Sequence, residues 1–188
     1  MTTATVLAQL PNLITLGRLL AVPLMVFLLL EQAYLFAFWL FLAAGVSDAA
    51  DGLIAKQFRL ETEIGKFLDP IADKALLVSV YVALGTMGEI ETWLVILIVS
   101  RDLMIVGGAI LFQTLTQRLT MEPLWISKAN TACQIALVLL VLARAGYGFE
   151  LPWVTEALTW VVAATTILSG GAYIYTWGIR FLTMEEDL

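Results

Sequence analysis

The chain of 188 residues is 61% apolar and 14% charged, with a mean hydropathy of +0.91 and a net charge of −6. That composition lies outside the range of a soluble globular domain and puts the chain in lipid, where the placement of charge matters more than its sum. With no histidine and a single cysteine, Cys133, it excludes an intrachain disulfide, histidine-based zinc sites, triads and proton shuttles; the acidic balance argues against nucleic acid as a partner.

Apolar stretches of about 20 residues are needed to cross a hydrocarbon core of about 30 Å. Six can be placed, at residues 10–30, 35–55, 67–85, 93–112, 124–143 and a longer 153–182. They predict an all-α integral membrane protein: a bundle of six transmembrane helices forming one domain over residues 1–188. The first opens on PNLITLGR, residues 11–18, and no Lys or Arg precedes Arg18, so nothing resembles the charged start of a cleavable signal and the span is expected to remain in the mature protein. Asn12, Thr15 and Arg18 recur at about helical spacing and are candidate substrate contacts.

The second span carries Asp48 and Asp51, followed by Gly52, Ala55 and Lys56; the third carries Asp69 and Asp73, with Gly65 just ahead. Whereas each Glu falls in a loop or near a helix end, these four Asp and Asp102 lie within or at the mouths of spans. A carboxylate in hydrocarbon costs several kcal/mol on most estimates, so intramembrane acids mark an ion, proton or substrate site. Asp48 and Asp51 are three residues apart and Asp69 and Asp73 four apart, which puts each pair on one helical face; two antiparallel helices can converge all four. Lys56, Lys66 and Lys74 are too few and too flexible to neutralise such a cluster, so divalent cations are its natural complement. Hard oxygen ligands suit Mg²⁺, with Mn²⁺ as the alternative, and Mg²⁺ commonly shares its coordination with substrate phosphates.

The fourth span holds Arg101 beside Asp102, which either neutralise each other or leave Arg101 to bind an acceptor phosphate. In the fifth, Lys128 either snorkels to the headgroups or joins Ser127, Asn130, Thr131 and Gln134 in a polar stripe lining an acceptor pocket. Two glycine pairs, Gly107 with Gly108 and Gly170 with Gly171, read as close helix packing. Lys56, Arg59, Lys66, Arg118 and Arg180 fall on one side of the membrane, and the opposite loops carry Glu31, Glu89, Glu91 and Glu150 with only Arg144 as a base. The positive-inside rule then places both termini, and the aspartates with them, on the cytoplasmic side, as in a bacterial cytoplasmic membrane.

The run Asp48, Asp51, Gly52, Ala55, Lys56, then Gly65, Asp69 and Asp73 resembles the signature of the CDP-alcohol phosphatidyltransferase family, DxxDGxxAR, eight residues, GxxxDxxxD. Every spacing matches, and the one departure is Lys56 where the pattern has Arg, which keeps the charge and loses the bidentate fork. The resemblance implies that Asp48, Asp51 and Asp69 ligate metal, with Asp73 sharing a second ion or acting as base, and that Gly52, Ala55, Lys56 and Gly65 line the CDP site. It also implies a homodimer, two Mg²⁺ ions, CDP-diacylglycerol as donor and release of CMP. The pieces SRD at 100–102 and SKANTACQ at 127–134, with Tyr173 and Tyr175 in the last span, look more like eukaryotic-type cardiolipin synthases than phosphatidylglycerophosphate synthases, which more often read ARE and GKxKT there. Phosphatidylglycerol is thus the expected acceptor, giving cardiolipin, and glycerol 3-phosphate the runner-up. A divalent-cation or proton-coupled transporter is the alternative from another class, but four of the five aspartates crowd into two helices on one side, and no repeat supplies matching acids farther across.

Overall fold

The computed structural model describes the backbone of residues 3–58, 63–116 and 124–185, and the side chains of residues 17–47, 74–108 and 124–176. These residues form six α-helices and no strand: α1 (Thr3–Leu30), α2 (Tyr34–Phe58), α3 (Glu63–Thr86), α4 (Thr92–Thr116), α5 (Trp125–Tyr147) and α6 (Pro152–Glu185). One helix corresponds to each predicted span, and most run past it at one or both ends. Among the described residues, α5 and residues 152–176 of α6 are long and apolar enough to cross a membrane, and the described parts of α1, α2 and α3 are shorter apolar segments.

The chain divides into two compact units, residues 1–90 with 138–150, and residues 91–137 with 151–188. In the first unit α1 packs against α2 and α3. The buried residues recur at helical spacing: Met25 and Leu29 on α1, Ala37 and Phe41 on α2, Leu76, Val80 and Leu84 on α3, and Val138, Val141 and Leu142 on α5. The opposite faces carry exposed Leu20, Leu30, Phe36 and Trp39. Large apolar side chains directed outward suit a hydrocarbon surround, because lipid does not penalise them as water does.

Tight turns join these helices. Ala33 N–H donates to Leu28 C=O at 2.8 Å and Gln32 N–H to Leu29 C=O at 2.8 Å, a Schellman motif that ends α1 with Gln32 at a φ of 55°. After α3 the same motif uses Gly88, at a φ of 78°, where a glycine carries no steric penalty. The end of α5 then lies against the start of α2: a Cβ on Gly146 would sit 3.0 Å from both Cα and N of Leu35. Around this crossing Arg144 Nη2 donates to Glu89 Oε2 at 2.7 Å, the Tyr34 hydroxyl donates to Glu89 Oε1 at 3.5 Å, and the Phe38 and Tyr147 rings meet edge to face at 6.1 Å. Burial, the Glu89 charge and the hydrogen bond to Glu89 raise the Tyr34 hydroxyl above its ordinary value.

In the second unit α4 packs against α6. Leu94, Val95 and Ile98 on α4, Leu137 on α5 and Val162 and Ala163 on α6 form its apolar interior, while Leu103, Trp125, Trp153, Trp160 and Ile167 are exposed. Farther along the same helices the interior becomes polar.

Candidate functional site

Asp48, Asp51, Gly52, Ala55 and Lys56 lie within the unbroken helix α2, and Gly65, Asp69 and Asp73 within α3. Continuous helix keeps the intervals of three and four residues at close to one turn, so each aspartate pair holds a shared register position. As a donor set, four carboxylates fit hard divalent cations. Their side chains lie outside the described residues, as do those of Asn12 and Thr15 on α1. Among the described residues no cluster of three or more acidic, cysteine or histidine side chains could hold a metal ion.

The other predicted polar residues come together inside the second unit. On α4 the apolar stripe Leu94, Ile98 continues into Arg101 and Asp102, on α5 the stripe Asn130, Gln134 runs into Leu137, and on α6 Val162, Thr166, Ser169 and Tyr173 share one face. Seven residues of this chain are buried yet polar or charged among the described residues, and six of them, Arg101, Asp102, Asn130, Gln134, Thr166 and Ser169, belong to these three helices. The seventh is Arg18 on α1 of the first unit, 6% exposed.

Arg101 is the centre of the cluster. Its Nη1 donates to Asp102 Oδ1 at 2.6 Å and its Nη2 donates to Ser127 Oγ on α5 at 2.6 Å and to Ser169 Oγ on α6. Its Cζ stands 5.9 Å from the ring centre of Tyr173, within the range of a cation–π contact. One turn along, the Asn130 side-chain carbonyl accepts hydrogen bonds from the hydroxyls of Thr165 and Thr166, each at 2.9 Å. A guanidinium at 4% exposure is tolerable only with its charge and N–H groups partnered, and the three helices supply a carboxylate, two hydroxyls and a ring face.

Lys128 has a different environment from the cluster. It is exposed, and its Nζ stands 5.2 Å over the Trp125 ring, so stem and charge rest on an aromatic face at the start of α5. Tyr175 is exposed where Tyr173 is buried, so of the two tyrosines in the last span only Tyr173 belongs to the polar core. Thr165, Thr166 and Ser169 have no place in the sequence reading, which treats the last span as a long apolar run. Their signal is available, however: hydroxyl residues recurring at helical spacing inside a hydrophobic stretch need partners on a neighbouring helix.

Comparison with known proteins adds an independent line. The profile of the CDP-alcohol phosphatidyltransferase family matches residues 8–168. The chain is 34% identical over 192 residues to the rice protein named CDP-diacylglycerol–glycerol-3-phosphate 3-phosphatidyltransferase 1, chloroplastic, covering 92% of this chain and 57% of that one. It is 32% identical over 177 residues to the probable phosphatidylglycerophosphate synthase of Mycobacterium tuberculosis strain H37Rv, covering 89% and 81% respectively. It is also 30% identical over 193 residues to the human cardiolipin synthase (CMP-forming), covering 94% of this chain and 64% of that protein. The chain thus spans less than two thirds of the rice and human relatives, and the relatives' names divide between cardiolipin synthase and enzymes named for glycerol 3-phosphate or phosphatidylglycerophosphate.

Proposed function

We propose that this chain, which belongs to the CDP-alcohol phosphatidyltransferase family, transfers a phosphatidyl group from CDP-diacylglycerol to an alcohol and releases CMP. The observation that carries the reading is the aspartate signature at full spacing on two uninterrupted helices of a matched chain. In this reading all six helices span the membrane, with both termini and the aspartates on the cytoplasmic side, and the protein works as a homodimer.

Asp48, Asp51, Asp69 and Asp73 are the residues that would hold two Mg²⁺ or Mn²⁺ ions, and bound dications would supply charge neutralisation for the diphosphate. Gly52, Ala55 and Gly65 leave room for the cytidine nucleotide against the helix backbone, and Lys56 faces its diphosphate as a point charge. Asp73 accepts the proton of the acceptor hydroxyl as that oxygen attacks the phosphorus bearing diacylglycerol. A new phosphorus–oxygen bond forms, the bond to the bridging diphosphate oxygen breaks, and the electron pair leaves with CMP. Asn12, Thr15 and Arg18 contribute substrate contacts, and Arg101 and Lys128 meet the phosphate of the acceptor.

The acceptor we favour is phosphatidylglycerol, giving cardiolipin, on the strength of the SRD and SKANTACQ pieces. Glycerol 3-phosphate, giving phosphatidylglycerophosphate, is the second reading, supported by the names of the rice and mycobacterial relatives. The purified chain in lipid nanodiscs, given radiolabelled CDP-diacylglycerol and each alcohol in turn, should release CMP and form labelled cardiolipin with phosphatidylglycerol. Labelled phosphatidylglycerophosphate alone would transfer the assignment to the second reading; no CMP release with either alcohol, in Mg²⁺ or Mn²⁺, would reject the activity.

A further inference from the structure

The hydrogen-bond ledger of Arg101 carries an inference beyond the assignment of its role. A guanidinium has five N–H donors in a fixed fork. Nη2 has both of its hydrogens engaged, by Ser127 Oγ from α5 and Ser169 Oγ from α6, and Nη1 gives one to Asp102. Nε is buried and has no acceptor among the described residues.

The neighbouring carboxylate makes this arrangement informative. Asp102 follows Arg101 directly on α4, and an arginine with a free fork beside a carboxylate in a low-dielectric interior turns to grip it with two parallel N–H bonds. That side-on grip would use the Nε edge and leave little of the cation for any other anion. Two hydroxyls on two other helices hold Nη2 instead, so the fork cannot swing, and Asp102 Oδ1 meets the guanidinium at Nη1, at 2.6 Å. The Tyr173 ring centre lies 5.9 Å from Cζ, a cation–π contact that adds to the hold on the guanidinium.

We infer that Ser127 and Ser169 are positioning residues for the acceptor site: by pinning Nη2 of Arg101 from α5 and α6, they stop Asp102 from taking the whole guanidinium and keep its Nε–H for an acceptor phosphate. This rests on the reading that Arg101 meets that phosphate. With either hydroxyl removed, one N–H of Nη2 loses its acceptor and the fork is held from one helix instead of two, so the pair acts together. Threonine keeps the accepting oxygen and alanine removes it, which separates the hydroxyl's role from that of side-chain volume.

The test uses the full chain in nanodiscs, with KM for the acceptor measured at saturating CDP-diacylglycerol and KM for CDP-diacylglycerol at saturating acceptor. Ser127→Ala with Ser169→Ala is expected to raise acceptor KM by about tenfold or more and to leave the other KM within about twofold. Ser127→Thr with Ser169→Thr should restore acceptor KM. Arg101→Gln should raise it at least as far, and the alanine pair should add nothing in that background. An unchanged acceptor KM in the alanine pair, with a raised one in Arg101→Gln, overturns the positioning role and leaves the Arg101 reading standing; an unchanged acceptor KM in Arg101→Gln itself overturns that reading. If the alanine pair does not fold, the single serine variants decide, and equal rises in both KM values count against the inference.

Discussion

Removing the carboxylate of Asp102 should unfold the second unit more readily than removing the whole ion pair. Arg101 and Asp102 are each 4% exposed and joined at 2.6 Å, so Asp102→Ala strands a guanidinium in the interior. Breaking a buried pair by deleting one partner costs about 3–5 kcal/mol, because the remaining charge loses its compensation. Ser127 and Ser169 still accept from Nη2, and the Tyr173 ring still faces the cation, which argues for the lower end, about 3 kcal/mol or roughly two orders of magnitude in the unfolding equilibrium. Replacing both partners with apolar residues of similar volume, Arg101→Met with Asp102→Leu, removes the desolvation penalty along with the attraction. That double variant should lie within about 1 kcal/mol of the wild type while losing activity. Reversible unfolding by SDS titration in mixed micelles of the wild type, Arg101→Met, Asp102→Leu and the double variant gives all four corners of the cycle. If the double variant is destabilised by the sum of the two single changes, the pair is uncoupled and the reasoning fails.

Further outcomes follow from the same geometry. Asp48→Ala, Asp51→Ala and Asp69→Ala should each abolish CMP release in a radiolabel assay, and Asp73→Asn should lower kcat more than it weakens nucleotide binding measured by equilibrium dialysis. Lys56→Arg should retain activity, since the family pattern carries Arg at that position and the fork supplies the same charge with added geometry. Gly146→Ala should destabilise the chain by about 1–3 kcal/mol, because the new Cβ would stand 3.0 Å from the Leu35 backbone, whereas Gly45→Ala, with nothing within 4 Å, should cause no loss; thermal unfolding of the two variants provides the comparison. The stability contributed by the Tyr34 hydroxyl is intact below its ordinary value of 10.0 and is lost as pH rises through the higher folded value. Stability followed by tryptophan fluorescence should therefore fall less steeply above pH 10 in Tyr34→Phe, which has no hydroxyl to ionise.

Helix number and position were legible because an apolar run of about 20 residues bounded by charged or turn-forming residues has one economical conformation in lipid. The turns were less so: nothing in Glu31, Gln32 and Ala33 announces that Gln32 takes the left-handed position that ends α1, which glycine takes after α3. The aspartates stood out because charge in an apolar run is expensive, and Arg101 with Asp102 stood out for the same reason. Ser169, Thr165 and Thr166 did not, since a hydroxyl is tolerated almost anywhere in a helix by bonding to its own backbone. The one hydrogen of Thr165 Oγ1 has the carbonyls of Val161 and Val162 within reach as alternatives to Asn130 Oδ1. Only the packing of α4, α5 and α6 shows that Ser127 and Ser169 meet at one guanidinium. For Lys128 the sequence left two places open, a snorkel to the headgroups or a polar stripe lining an acceptor pocket, and its contact is the ring of Trp125, three residues away on the same helix.

The central claim is that four carboxylates on α2 and α3 bind dications that engage a diphosphate, and Mn²⁺ binding followed by electron paramagnetic resonance tests it most directly. The account predicts two Mn²⁺ ions per chain in the presence of CDP-diacylglycerol, close enough for spin coupling at about 3.5 to 4 Å, with the coupled signal lost in Asp48→Ala and in Asp69→Ala. Binding that is absent, or that persists unchanged in both variants, would contradict it.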